Sequence, residues 1–236
     1  MTETIKLSVF RYDPEKGGKP SMQAYEVPFS GAGMKLLDAL NYIKWHLDGT
    51  LTYRRSCGEG VCGSDGLNIN GVNGLACITP IAGLKQPIHV RPLPSMEVIR
   101  DLVVDMDHFF DQYRQIKPWL QTYSPAPEHE RLQSPEERAE LDGAYECIMC
   151  GCCTTSCPSW WWNGDRFLGP ATLLQADRWI KDSRDEATGE RLDQLEDAFK
   201  LYRCHQIMNC MEACPKGLNP TKAINHIKRT LLNRKS

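Results

Sequence analysis

No stretch of this chain is apolar for long enough to cross a bilayer. Segments such as "DLVVDM" and "LLDAL" fall far short of the roughly 20 residues that a spanning helix needs. The N-terminus, "MTETIKLSVFRYD", has neither the pattern of a signal peptide nor that of an Arg-rich transit peptide, and it passes straight into strand-like alternation. The expectation is a chain that stays in the compartment where it is made, unless a presequence has been removed. Charge of either sign is not in excess: 28 Lys and Arg face 30 Asp and Glu, so no basic field points to nucleic acid. Solenoid-type repeats are missing as well. What remains is an ordinary globular composition, with room in 236 residues for one large or two modest domains.

Against that background the cysteines stand out. There are 11, in three tight groups at 57–77, 147–157 and 204–214. A reducing compartment does not sustain a disulfide framework, so clustered thiols in a chain without an export signal point to metal.

Residues 4–13 and 21–29 alternate like two strands across the Gly/Pro turn "PEKGGKP". A helical pattern follows in "MKLLDALNYIKWHL", with Leu36, Leu37, Leu40 and Ile43 on one face. A Gly-rich loop then leads to a closing strand in "QPIHVRPL", so 1–104 reads as a small mixed sheet crossed by one helix. From Val98 the period becomes helical, carried by Leu102, Met106, Phe109, Tyr113 and Ile116 until Pro118 interrupts. "QTYSPAPEHERLQ" is a polar linker, after which Ser134, Pro135 and Glu137 form a capping signal. Further helices are expected in "GPATLLQADRWIKD", "RLDQLEDAFKLYR" and "NPTKAINHIKRTLL", the last starting at Asn219–Pro220. The fold class is therefore α+β: a sheet domain over 1–104 and an all-α domain over 105–236.

The middle group, "CIMCGCCTTSCP", fits the bacterial ferredoxin run C-x2-C-x2-C-x3-C-P through Cys147, Cys150, Cys153, Cys157 and Pro158. Cys152 is surplus and reads as a buried thiol. The last group, "CHQIMNCMEACP", repeats the spacing with Ile207 in the second slot. In two-cluster ferredoxins the fourth cysteine of each run serves the other cluster. Crossing them gives one centre Cys147, Cys150, Cys153 and Cys214, a full set for [4Fe–4S]. The other centre receives Cys157, Cys204 and Cys210, one ligand short, which predicts [3Fe–4S]. Fewer thiolates leave less negative charge around that site and favour adding an electron. The first group, "CGEGVCGSDGLNINGVNGLAC", places Cys57, Cys62, Asp65 and Cys77 in the pattern of a plant-type [2Fe–2S] loop, with Asp65 in the third slot. Asp65 is either an oxygen ligand or a turn former. Structural zinc is the non-redox alternative for all three groups.

The stretches "RRSCGEGVCGSDGLNINGVNGLACITP", "RPLPSMEVIRDLVVDM", "YECIMCGCCTTSCPSWWWN" and "RCHQIMNCMEACPKGLNP" closely resemble the iron–sulfur subunits of succinate dehydrogenases, the respiratory complex II family. The resemblance implies a β-grasp [2Fe–2S] ferredoxin-like domain followed by a helical, bacterial-ferredoxin-like domain. It also implies electron relay from the FAD of a flavoprotein subunit, through [2Fe–2S], [4Fe–4S] and [3Fe–4S] clusters, to a quinone. The partners implied are that flavoprotein and hydrophobic membrane-anchor subunits, with or without haem b. The location implied is the cytoplasmic face of a bacterial inner membrane, or the matrix side if a presequence has been removed. By position the family's quinone-facing residues fall on Pro158, Ser159, Trp161, Trp162, His205 and Ile207. Many members carry Cys where Asp65 stands, and some bacterial ones carry Asp. Trp160, Trp161 and Trp162 are alternatively core or contact aromatics, and His205 is alternatively a hydrogen-bond donor to the adjacent centre. Neighbouring readings are the matching subunit of a quinol:fumarate reductase and a stand-alone ferredoxin-type carrier.

Overall fold

Two eight-residue strands, β1 (Thr4–Arg11) and β2 (Ser21–Pro28), pair antiparallel and begin the first of two compact units. The computed structural model describes residues 3–234. Unit one comprises Met1–Met106 with Ile148–Ser156, and unit two comprises Asp107–Cys147 with Cys157–Ser236. The nine residues from 148 to 156, expected within the helical half, thus pack into the sheet-bearing unit.

In unit one, β3 (Gly66–Ile69), β4 (Val72–Leu75) and β5 (Ile88–Arg91) complete a five-stranded sheet in the order β2-β1-β5-β3-β4. β5 runs parallel to β1 and antiparallel to β3. The period-2 pattern puts Ile5, Leu7, Val9, Leu67, Ile69, Ile88 and Val90 in the core. Helix α1 (Leu36–Tyr42) joins that core, continued by a wider turn over Ile43–Leu47. Its expected face is the one buried: Leu36, Leu37, Leu40 and Ile43. Each fully buried aliphatic side chain contributes about 1.5–3 kcal/mol.

The expected helix from Val98 starts later. Residues 98–104 form a hairpin of β6 (Val98–Arg100) and β7 (Val103–Val104), and α2 spans Asp107–Gln115. The reason is Asp101, which is buried at φ +45° in the turn. Its carboxylate accepts the N–H groups of Tyr12 at 2.9 Å and Thr52 at 2.8 Å, and Arg11 Nε at 3.0 Å. A buried carboxylate needs such partners, and a helix through this position would forfeit them.

Unit two is helical. After the short α3 (Pro135–Ala139), the structure forms α5 (Pro158–Asn163), α6 (Gly169–Lys181), α7 (Thr188–Leu195), the single-turn α8 (Asn209–Glu212) and α9 (Pro220–Arg234). The intervening α4 (Cys152–Thr155) belongs to unit one. The capping box at α3 forms as the sequence predicts, Ser134 Oγ accepting from Glu137 N and Glu137 Oε2 from Ser134 N. Asn219 likewise caps α9, accepting Lys222 N at 2.9 Å. The helix expected over "RLDQLEDAFKLYR" ends at Leu195. Asp197 Oδ1 accepts Phe199 N and Lys200 N and turns the chain there. α6 packs against α7 and α9. The buried pair of Arg191 and Asp185, at 2.7 Å, ties α7 to the carbonyls of Ile116, Lys117 and Trp119.

Candidate metal centres

The loop after Ser56 wraps its backbone around sulfur. Cys57 Sγ accepts the N–H groups of Glu59 at 3.4 Å, Val61 at 3.4 Å and Cys62 at 3.3 Å. Left-handed Gly58, Gly60 and Gly63 make the inward turn of these amides possible. At Gly63 a Cβ would stand 2.9 Å from Cys150 Cβ and 3.0 Å from the Ile148 carbonyl, so the loop packs directly on the 148–156 segment within unit one. Cys62 Sγ lies 3.2 Å from Ser64 Oγ, and that hydroxyl is the main reason its thiol falls to about 6. Burial, with Asp65 beside it, pushes the Cys77 thiol up to about 12.

Asp65 sits among these groups, 3% exposed. Its Oδ2 accepts Cys77 N at 2.6 Å, while Oδ1 is buried with no hydrogen-bond partner. A carboxylate oxygen left bare in the interior costs at least about 1–3 kcal/mol unless something binds it. Three sulfurs and this oxygen fit the donor set of a two-iron centre.

The two C-terminal runs share one backbone. In each, the residue two after the first cysteine is left-handed, Met149 at φ +51° and Gln206 at φ +58°. The residue four after it is left-handed too, Gly151 at φ +78° and Met208 at φ +72°. A one-turn helix follows in both, α4 and α8. Such alternation turns successive N–H groups to one side, as an anionic centre requires. The first run divides between the units: Cys150, Cys152 and Cys153 lie in unit one, Cys147 and Cys157 in unit two. Cys152 is fully buried, and its side chain is the largest cause holding the Cys150 thiol below its ordinary value. In unit two, Cys147 and Cys214 pack against one apolar cluster of Ala144, Leu174, Leu218 and Ala223.

The second run encloses a hollow within unit two. Cys157, Cys204 and Cys210 line it together with Ile207, His205 and Thr221. Burial raises the Cys157 and Cys210 thiols, and both also feel the charge of Cys204. The donors border a space rather than closing on a point; among the described residues no three Cys, His, Asp or Glu side chains could hold a single ion. Ile207, apolar and 48% exposed, lines the hollow at the position that corresponds to Cys150 of the first run.

His205, which lines the hollow, is exposed, and on α5 Trp161 and Trp162 are exposed at 45% and 77%. Trp160 instead belongs to the core, its Nε1 donating to Gln112 Oε1 at 3.1 Å. Ser159 is buried and Pro158 half-buried. Sequence reasoning missed the contribution of α9. Lys228 Nζ donates to the Cys204 carbonyl at 3.0 Å, Gln206 Nε2 donates to Asn225 Oδ1 at 2.7 Å, and Thr221 Oγ1 lies 3.4 Å from Cys210 Sγ. The signal was present: Thr221, Ile224, Asn225 and Lys228 fall on one helical face, where a purely structural stripe would be apolar throughout.

Residues 6–111 match the model of a 2Fe-2S iron-sulfur cluster binding domain, and residues 143–218 match that of a 4Fe-4S dicluster domain. The succinate dehydrogenase iron-sulfur subunit of Paracoccus denitrificans is 54% identical over 233 residues, covering 99% of this chain and 90% of that protein. The chain belongs to the family of succinate dehydrogenase iron–sulfur subunits. As such a subunit it transfers electrons within a succinate:quinone oxidoreductase rather than oxidising succinate itself, and it carries [2Fe–2S] and [4Fe–4S] binding domains. The fold agrees. A chain of the Mycobacterium smegmatis Sdh1 complex in the apo form superposes with TM-score 0.87 at 24% identity, covering 100% of this chain and 98% of that one. A hypothetical protein from Helicobacter pylori superposes with TM-score 0.61 at 16% identity, covering 99% of this chain and 41% of that one. Among the described residues no helix of this chain is long and apolar enough to cross a membrane.

Proposed function

We propose that this chain holds three iron–sulfur centres and delivers electrons to a membrane quinone through the incomplete one. The observation that carries the reading is Ile207, standing at a hollow bordered by three thiols where a fourth would complete the set. Cys57, Cys62, Asp65 and Cys77 would hold [2Fe–2S]; Cys147, Cys150, Cys153 and Cys214, by their spacing, [4Fe–4S]; and Cys157, Cys204 and Cys210, [3Fe–4S]. When bound, these clusters supply single-electron transfer between the FAD of a flavoprotein partner and the quinone.

The chain's own residues prepare each end. Amides donated to Cys57 stabilise negative charge on its sulfur. Ile207 withholds a thiolate and so leaves the last centre less negative and readier to accept an electron. Trp162 presents an indole N–H and an apolar ring at an exposed position, suited to a quinone carbonyl beside a hydrophobic anchor subunit. His205, exposed at the same hollow, can hold and release the protons that quinone reduction consumes. Pro158, Ser159 and Trp161 complete the quinone-facing set. The chain is peripheral in this reading, held at the membrane by anchor subunits.

Isolating the intact assembly and titrating its electron paramagnetic resonance (EPR) signals tests the proposal. Three iron signals are expected, one of them the oxidised [3Fe–4S] signal. Zinc in place of iron, or two four-iron centres, would overturn it.

A further inference from the structure

We propose that Thr221 is a positioning residue for the terminal centre, its hydroxyl donating a hydrogen bond to Cys210 Sγ that raises the centre's affinity for an electron. The inference rests on the assignment of Cys157, Cys204 and Cys210 to that centre. Thr221 Oγ1 stands 3.4 Å from Cys210 Sγ, both residues are buried, and both line the same hollow. A cysteine that ligates iron does so as thiolate and has no proton to give, so the hydroxyl is the donor.

The placement follows from the start of α9. Asn219 caps the helix, Pro220 opens it with a fixed φ, and Thr221 comes second. In a helix interior a threonine hydroxyl commonly bonds the carbonyl four residues back; here that carbonyl, of Gly217, precedes the helix. The hydroxyl is thereby released toward Cys210. β-Branching restricts the rotamers of Thr221, so the direction is held.

The sign follows from charge. An added electron increases the negative charge on the ligating sulfurs, and a hydrogen bond to one of them strengthens. Reduction is thus favoured relative to a centre lacking the bond. The donor would therefore act with the missing fourth thiolate in making this centre an electron acceptor.

The test is an EPR redox titration of the purified complex with wild-type chain, Thr221→Val and Thr221→Ser. Val removes the donor at nearly constant volume and is expected to lower the midpoint of the [3Fe–4S] signal; Ser keeps the donor and is expected to leave it near wild type. An unchanged midpoint in Thr221→Val, or an equal fall in Thr221→Ser, overturns the hydrogen-bond role while leaving the cluster assignment intact. Absence of the [3Fe–4S] signal from the wild-type complex overturns the assignment and this inference with it. If Thr221→Val does not assemble, the same titration of Thr221→Ala decides: a lowered midpoint supports the proposal, and an unchanged one overturns it.

Discussion

Asp65 Oδ2 accepts the backbone N–H of Cys77 at 2.6 Å, and the other oxygen of that carboxylate is buried without a partner. One bond fixes the carboxylate beside Cys77, and its second oxygen has no hydrogen-bond partner. Ligation of iron, as proposed, would give that oxygen a partner. Asp65→Ala is therefore expected to lose most of the iron of the two-iron centre and its EPR signal, whereas Asp65→Cys retains both. Iron and sulfide content of the purified complexes checks this, and full occupancy in the alanine variant would refute oxygen ligation.

Ile207 stands in the slot of a fourth thiolate. Ile207→Cys is expected to convert the terminal centre toward [4Fe–4S], to remove most of the oxidised [3Fe–4S] EPR signal and to lower the midpoint potential, because a further thiolate adds negative charge. An undiminished [3Fe–4S] signal in this variant would show that the spacing argument assigns the wrong slot.

Trp162 is 77% exposed, so its removal from the isolated chain is expected to change stability by no more than about 0.5 kcal/mol. Trp162→Ala is expected to slow quinone reduction at least about tenfold, the loss of roughly 1.4 kcal/mol of transition-state interaction. Succinate oxidation by an artificial dye should persist. Parallel loss of both activities would place the residue in the structure rather than at the quinone.

Asp48 Oδ2 accepts both Arg11 Nη1 at 2.5 Å and Tyr25 OH at 2.8 Å, joining β1, β2 and the loop after α1. Burial alone would raise the Asp48 carboxyl, but the hydrogen bonds from Thr50, Tyr25 and Arg11 outweigh it and hold the group well below 3.8. With the folded value depressed, the stabilisation is complete above the unfolded value and declines as pH falls below it. Asp48→Asn is expected to cost unit one about 1–3 kcal/mol at neutral pH, and less near pH 3. Hydrogen exchange of β1 and β2 amides at the two pH values measures the difference. A cost that does not shrink in acid would show that the charge contributes nothing.

The strands at both ends of unit one, the inner face of α1 and the caps at Ser134 and Asn219 were all legible, because each depends on residues within a few positions of one another. The helix over Val98–Met106 was misread because its periodicity is real but local. Asp101 bonds Tyr12 and Thr52, 89 and 49 positions away, and nothing nearby in sequence announces those partners. The placement of 148–156 with the sheet has the same origin. Asn73 Nδ2, on β4, donates to the Cys152 carbonyl at 3.2 Å and to Thr155 Oγ1 at 2.9 Å. The role of α9 was missed although polar Thr221, Asn225 and Lys228 share a face with Ile224, because their partners Cys210, Gln206 and Cys204 lie 11 to 24 positions away.

The spacing of the cysteines, the substitution at Ile207 and the carboxylate at Asp65 are properties of the sequence alone. They carry the proposed number of centres and the proposed identity of the one short of a ligand, since ligand count and spacing along a loop are local quantities. Tertiary structure decided which groups surround those ligands: the bare oxygen of Asp65, the hydroxyl of Thr221, the buried Trp160 beside the exposed Trp162. Hydrogen bonds and desolvation act over a few ångströms in space, and only folding brings residues far apart in sequence within that range.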